Sequence, residues 1–377
     1  MIDTPALIVG AGPVGLYQAF QLGLLDIPCH LVDTLPHPGG QCAELYPDKP
    51  IYDIPGVPAT TGLALVDSLR QQIEPFTRRG TVQLHLGQQV SEVSRQDDGR
   101  ITVTTSAGQT FVTQTLFIAA GAGAFVPRRL RVPGLEAFEG SQLLYQWPEP
   151  GNQGKPGGEG TMAGRHLVIQ GDDDNALDWA IAGATDHAGA PASVTLLHRR
   201  GVFTASPDRI ARMRALCAEG RMRFVAGQIT APAVQDPEQA NQDNAAQGVA
   251  PAAPQSRLCG LHLALPDGSS EMLPADLLLA SLGLSPRLGP LADWGLAMQR
   301  KQLSVDTEKF QTSEPGIFAV GDINTYPGKK KLIVCGFHEC VLAAFAAADI
   351  VFPGKPPALQ YTTTSSRLHT LLGVTGL

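Results

Sequence analysis

The chain has 377 residues, of which 43% are hydrophobic and 17% charged, and its formal net charge is −7. This composition supplies a large apolar core and excludes a disordered chain, and the acidity argues against general nucleic-acid binding, which leaves a basic footprint. The six cysteines include no C-x-x-C pair, so neither a zinc site nor a vicinal redox disulfide is readable. At ~100–200 residues per domain the length suggests two domains. The first residues lack a basic leader and no apolar run approaches the ~20 residues that cross a bilayer. The expectation is a soluble, reduced, cytoplasmic protein with no membrane.

Ala6-Leu7-Ile8-Val9 is a short apolar run of the kind buried on both faces of a parallel sheet. Gly10-Ala11-Gly12-Pro13-Val14-Gly15 follows, then apolar residues at helical spacing over 16–25, then a second strand, His30-Leu31-Val32, ending in Asp33. Strand, glycine turn, helix and spaced acid form a dinucleotide-binding pattern. Gly10 permits the tight turn, Gly12 lets backbone approach a pyrophosphate, and Gly15 lets helix and strand pack closely. The anion would rest on the helix N-terminus, where free N–H groups and the positive dipole end converge. Asp33 stands where a carboxylate accepts hydrogen bonds from an adenosine ribose.

A Gly-rich stretch at 151–160 reads as a flexible connection to a second unit of the same kind. That unit begins with the strand His166-Leu167-Val168-Ile169, turns at Gly171, continues as a helix from about Ala176, and has a strand at 193–197. The Ala/Gln/Pro-rich segment 231–256 reads as a long exposed loop within it. After another apolar run at 277–282 the chain is expected to return to the first domain near residue 290. The fold class is therefore α/β, with two Rossmann-like, three-layer, doubly wound domains. Residues 1–122 and 290–377 form one, and 123–289 form the other, inserted into it. Later, Gly321-Asp322 ends a strand, an amphipathic helix covers 341–350, and a hydroxyl-rich extension covers 361–366.

Several stretches extend the pattern: GAGPVGLY at 10–17, PGGQCAELYPDKPIYDIPG at 38–56, HRR at 198–200, LGPLADWGL at 288–296, VDTEKFQTSEPGIFAVGDINTYPGKKKLI at 305–333, and YTTTSS at 361–366. With these, nearly the whole chain resembles the thioredoxin-reductase-like ferredoxin–NADP reductases, two-domain flavoproteins related to thioredoxin reductase. The resemblance implies a homodimeric enzyme that uses FAD to move electrons between NADPH and a ferredoxin or flavodoxin-type carrier, with no side chain acting as acid or base. It implies that Gly10, Gly12, Pro13, Gly15 and Asp33 hold the ADP half of FAD, with Val90, Gly121 and Phe125 also at the cofactor. Gln41 and Tyr46 would flank the flavin, Tyr46 stacking on one face. Asp322 would bond the ribityl chain, with Ile323 behind it. The other flavin face would be covered by the C-terminal extension of a second subunit, the segment holding Tyr361 and Thr363.

Thioredoxin reductases carry a C-x-x-C pair in the second domain; none occurs here between 124 and 288, and Cys42 has Pro47 where glutathione-reductase relatives have a second cysteine. Electrons would then pass from the flavin directly to an external acceptor. The second turn departs from the G-x-G-x-x-A of the family, reading Gly171-Asp172-Asp173-Asp174-Asn175-Ala176. Asp173 falls where backbone should meet the NADPH pyrophosphate. A carboxylate ~4 Å from a phosphate costs about 4 kcal/mol at an effective dielectric of about 20. His198, Arg199 and Arg200 nonetheless end the next strand, where arginines grip a 2′-phosphate. These signals oppose each other, so two other readings stay open. One is a flavoenzyme that has lost tight NADPH binding and oxidises a small molecule, with oxygen or a carrier as acceptor. The other is a non-catalytic FAD-binding sensor. Lys329-Lys330-Lys331, with Arg128 and Arg129, reads equally as a solvated loop and as a landing patch for an acidic carrier. No metal constellation is expected.

Overall fold

The computed structural model describes residues 1–147, 162–185, 189–235, 256–355 and 357–374. They fall into two compact units: Met1–Ala124 with Pro286–Leu377, and Phe125–Ser285. The Gly-rich connection at 151–160 lies outside the described residues.

The first unit begins with β1 (Ile2–Val9), α1 (Pro13–Leu24), β2 (Cys29–Val32), α2 (Gly62–Arg78), β3 (Val82–His85), β4 (Val90–Arg95), β5 (Ile101–Thr105) and β6 (Thr110–Ile118). Strands β3, β2, β1 and β6 lie side by side in parallel, while β6 pairs antiparallel with β5, and β5 with β4. The two-residue period sorts the core. Ala6 and Ile8 of β1 join one apolar cluster with Leu16, Leu22 and Phe76, whereas Leu7 joins the opposite one with Leu116 and Ile118. All three β1 residues are 0% exposed, and burial of such a Leu or Ile contributes roughly 1.5–3 kcal/mol. Pro13, at the first turn of α1, needs no N–H partner and fixes φ for the helix.

The second unit contains β7 (Leu143–Leu144), β8 (His166–Gln170), α3 (Asp174–Thr185), β9 (Ser193–His198), α4 (Pro207–Ala218) and β10 (Arg223–Ala226). It continues with β11 (Gln228–Gln235), β12 (Arg257–Ala264), β13 (Ser270–Pro274) and β14 (Leu277–Ala280). A five-stranded parallel sheet runs β7-β14-β8-β9-β10, and β11-β12-β13 form a separate antiparallel sheet. Strand β11 corrects the loop expected from 231, because 231–235 pair with β12 across two register shifts. Those shifts scramble the alternation that would have betrayed a strand; residues 236–255 lie outside the described set.

The chain then returns to the first unit with β15 (Ile317–Ala319), α5 (Ile333–Val351) and α6 (Ser366–Leu372). Strand β15 runs parallel to the last residues of β6, with Phe318 opposite Phe117. Helix α5 starts eight residues earlier than the 341–350 expected. At 19 residues and a mean hydropathy of 1.7 it is long and apolar enough to cross a membrane by those criteria, contrary to the expectation that no such run exists. In this unit it is a core helix against α1: Cys340, Ala343, Ala344, Ala347 and Ala348 are at most 1% exposed, and the Cys340 thiol donates to the Val14 carbonyl at 3.3 Å. Small residues on this face let the two helices approach.

Candidate cofactor site

In the first unit the glycine turn closes as its spacing requires. Gly10 sits at φ +108°, its N–H donating to Val32 O at 2.8 Å, and an added Cβ would come within 2.4 Å of Ala119 O. At Gly15 an added Cβ would lie 1.8 Å from Gly10 O, so the turn and helix meet without room for a side chain. Gly12 differs. Its φ of −70° suits any residue, and a Cβ there would meet nothing nearer than Gly40 Cα at 3.9 Å. Protein packing therefore does not require this glycine. It leaves a space in front of the α1 N-terminus, whose cap has no side-chain hydrogen bond, so first-turn N–H groups remain open to an anion.

Other expected residues converge on this space. The Gly39 N–H donates to Ala11 O at 2.9 Å, which draws the Gly39-Gly40 turn onto the fingerprint. Gln41 opens the short helix Gln41–Glu44, and its Nε2 lies 3.1 Å from where a Cβ on Gly121 would be. Asp33 is 9% exposed and accepts from Ala11 N–H at 2.5 Å and from Leu35 N–H at 2.8 Å. Burial pushes its carboxyl above the ordinary range and those two bonds pull it back. The fingerprint loop thus aims the acid, whose oxygens can accept further bonds such as those of a ribose hydroxyl.

Tyr46 is half-buried, and its hydroxyl accepts from the Cys42 thiol at 3.5 Å. Desolvation, Cys42 and the Asp322 carboxylate all push the phenol above its ordinary value, so Tyr46, Cys42 and Asp322 share one neighbourhood. The Asp322 backbone is fixed: Gln302 Nε2 donates to its carbonyl at 3.2 Å. Its carboxylate accepts no hydrogen bond among the described residues. Desolvation raises its pKa, against the attraction of Lys329 and Lys331. A half-buried acid on a held backbone, with its oxygens unbonded, suits ligand hydroxyls.

Val90 and Ile323 are 4% and 1% exposed and belong to one apolar cluster, so only their backbones are free to face a ligand. Phe125 falls in the strand Ala124–Pro127. Tyr361 is 68% exposed and Thr363 is also exposed.

The second unit's turn has the same framework with a different occupant. Gly171 is required, since an added Cβ would lie 2.5 Å from Ser281 O. Asp173 precedes α3 and caps it: its Oδ1 accepts from Ala176 N–H at 2.9 Å, and the Ser281 hydroxyl donates to Oδ1 and Oδ2 at 2.9 and 3.1 Å. The neighbouring acids are also engaged. Asp172 lies 4.0 Å from His198 Nε2, and Asp174 accepts from Ser206 N–H at 2.7 Å and pairs with Arg209 at 3.5 Å. Arg199 and Arg200 are exposed and carry no ion pair among the described residues.

The basic run needs correction. The Lys329 side chain is 6% exposed and ion-paired with Glu339, which is 0% exposed, so Lys329 belongs to the interior; only Lys330 and Lys331 are exposed. Arg129 likewise pairs with Glu139. Sequence reading missed Glu339, Ser281 and Gln302. One signal was available: an acid flanked by apolar residues in the first half of the helix IVCGFHECVLAAFAAADIV implies a buried partner.

A parallel-sheet unit with an open glycine cradle, an aimed acid after β2 and a second unit built around a related turn defines a dinucleotide-binding protein. Comparison with known proteins agrees. The family model described as pyridine nucleotide-disulphide oxidoreductase matches residues 4–339. The "Ferredoxin--NADP reductase" of Albidiferax ferrireducens is 53% identical over 373 residues, covering 99% of this chain and 96% of the relative. Among solved structures, thioredoxin reductase of Lactococcus lactis aligns with TM-score 0.51 at 19% identity over 92% of this chain and 99% of that one. Bacillithiol disulfide reductase of Staphylococcus aureus aligns with TM-score 0.54 at 16% identity over 91% and 98%. The chain belongs to the pyridine nucleotide-disulphide oxidoreductase family and is a flavoprotein oxidoreductase with the two-domain α/β fold expected from its sequence. All six cysteines are free.

Proposed function

We propose that this protein is a ferredoxin–NADP reductase that binds FAD, takes reducing equivalents from NADPH and passes them to a ferredoxin or flavodoxin-type carrier. The observation that carries the FAD assignment is the space at Gly12, in front of the α1 N-terminus, where backbone conformation and packing would both accept a side chain and an approaching ligand accounts for its absence. In this reading the α1 N-terminus holds the pyrophosphate, Asp33 the adenosine ribose, and Asp322 the ribityl hydroxyls. Gln41 and Tyr46 border the flavin, Tyr46 excluding water from one face. FAD, when bound, supplies the conversion of a two-electron hydride into single electrons. Cys42 has no cysteine partner and burial raises its thiol, which supports an external acceptor in place of thiol relay. Exposure of Tyr361 and Thr363 fits a homodimer in which this extension covers the flavin of a second copy.

Arg199 and Arg200 would grip the NADPH 2′-phosphate, while Asp173 fills the helix terminus that a pyrophosphate would otherwise use. That carboxylate gives the second reading its support: a flavoenzyme on this scaffold with NADPH binding lost and a small-molecule substrate in its place. Anaerobic titration of the holoprotein, following flavin absorbance, separates the two. Bleaching by NADPH at high micromolar or higher concentration is expected. Absence of bleaching by NADPH and NADH alike would move the assignment to the second reading.

A further inference from the structure

Glu339 sits at mid-helix in α5 with no exposure, and a carboxylate buried there costs several kcal/mol unless paired and hydrogen-bonded. Among the described residues, all its hydrogen bonds run to one segment. Oε2 accepts from the Gly321 N–H at 2.6 Å and from Asn324 Nδ2 at 2.8 Å; Oε1 accepts from the Tyr326 hydroxyl at 2.9 Å and from the Lys329 ammonium. Lys329 donates in turn to the Gly321 carbonyl at 2.9 Å. Gly321, at φ +80°, is therefore gripped by both its N–H and its C=O, immediately before Asp322. Gly336 of α5 completes the fit, since an added Cβ there would lie 3.3 Å from Gly321 Cα and 2.5 Å from Val14.

Packing alone does not call for charges here, because apolar residues of similar volume often replace a buried ion pair at no loss of stability. What the pair supplies is direction: four of its five hydrogen bonds go to residues 321–326, including both polar groups of Gly321. The carboxylate left unbonded by this arrangement is that of Asp322. We infer that Glu339, Lys329 and Tyr326 are positioning residues, clamping the Gly321 peptide so that the Asp322 carboxylate is preset for the hydroxyl groups of the flavin side chain. The inference rests on the FAD reading above.

The test is a mutant cycle on FAD affinity, measured by flavin fluorescence on reconstituting apoprotein, with the thermal midpoint of each apoprotein recorded alongside. A hydrogen bond to a charged group contributes about 1.5–3 kcal/mol, so Tyr326→Phe and Glu339→Gln should each weaken FAD binding about tenfold or more. In an Asp322→Ala background, where the ADP half still anchors the cofactor, neither should weaken it further. Equal losses in both backgrounds would make the cluster mere scaffold, and unchanged affinity would also overturn the inference. If Glu339→Gln fails to fold with Lys329 left unpaired, Glu339→Gln combined with Lys329→Met removes both charges and completes the cycle with Tyr326→Phe. Failure of the wild-type apoprotein to take up FAD would instead sink the FAD reading itself.

Discussion

Gly12 and Asp173 hold the same place in two versions of one design, the residue before a helix that follows a parallel strand. One leaves the helix terminus open; the other closes it with its own carboxylate. Removing that carboxylate should therefore raise nucleotide affinity. Asp173→Gly is expected to lower the KM for NADPH by ~10–100-fold with little change in kcat, less than unscreened repulsion would give because solvent and salt weaken it. It should also cost α3 roughly a few tenths of a kcal/mol of capping. Asp173→Asn keeps a capping oxygen without the charge, so it should improve KM at less cost in thermal stability. Unchanged KM in both variants would mean that nucleotide never meets this terminus. A second residue-scale expectation concerns His30 and His85, stacked with Nδ1 and Nε2 2.8 Å apart. Desolvation lowers His85, and desolvation with His85 beside it lowers His30 to about 4. The unfolded chain takes up these protons near the ordinary histidine value of ~6.5. Protons thus favour the unfolded state between about 6.5 and 4, and stability should fall as pH drops through that window. Denaturant titrations at stepped pH should show this slope, and it should flatten in His30→Gln if the pair causes it.

At the start of α1, two glycines three residues apart, its cap Gly12 and Gly15, make opposite predictions. A methyl group at Gly15 would collide with Gly10 O, so Gly15→Ala should cost several kcal/mol or prevent folding. At Gly12 the same methyl group meets open space, so Gly12→Ala apoprotein should melt at or slightly above the wild-type temperature yet lose FAD. Calorimetry of the apoproteins with a flavin-content assay checks both; a Gly12→Ala protein that purifies with full FAD would empty the cradle of its meaning. These elements were legible in the sequence because β1, α1 and β2 carry dense local signals: an apolar run, turn glycines and helical spacing within a few residues of each other. Strand β11 was not, because its Ala/Pro-rich half is held by pairing with β12, and two register shifts erase the alternation. The early start of α5 was hidden because its first turns pack through Gly336 and Cys340 against Val14, a contact across the chain. Lys329 looked like part of a surface run because its partner is ten residues away on α5, brought back by a turn that spacing does not encode. The Asp173–Ser281 bond was invisible for the same reason, joining the first turn of the second unit to the end of its β14 strand.

At the scale of the molecule, the proposed function requires a chain of net charge −7 to meet an acidic carrier, which would need a local exception to its own sign. Lys330 and Lys331 are exposed beside the segment that carries Asp322, and with Lys329 turned inward they are what remains of the basic run. Reversing both should act on encounter and leave the cofactor alone. Lys330→Glu/Lys331→Glu is therefore expected to raise the KM for an acidic iron–sulfur carrier about tenfold at low ionic strength. Rim charges act chiefly through association, and their reach contracts to about 3 Å at 1 M salt. The difference from wild type should accordingly shrink as salt is added. Flavin content and the rate of flavin reduction by NADPH should not change, and neither should turnover with a small neutral quinone, which needs no charged landing site. Stopped-flow reduction with NADPH, followed by carrier-dependent turnover across a salt series, separates these steps. If the double reversal leaves carrier kinetics untouched at every ionic strength, these lysines are solvated loop residues and the carrier docks elsewhere. If it slows the quinone reaction as well, the charges act on Asp322 and the flavin, as the attraction of Lys331 for that carboxylate allows, and the docking role falls.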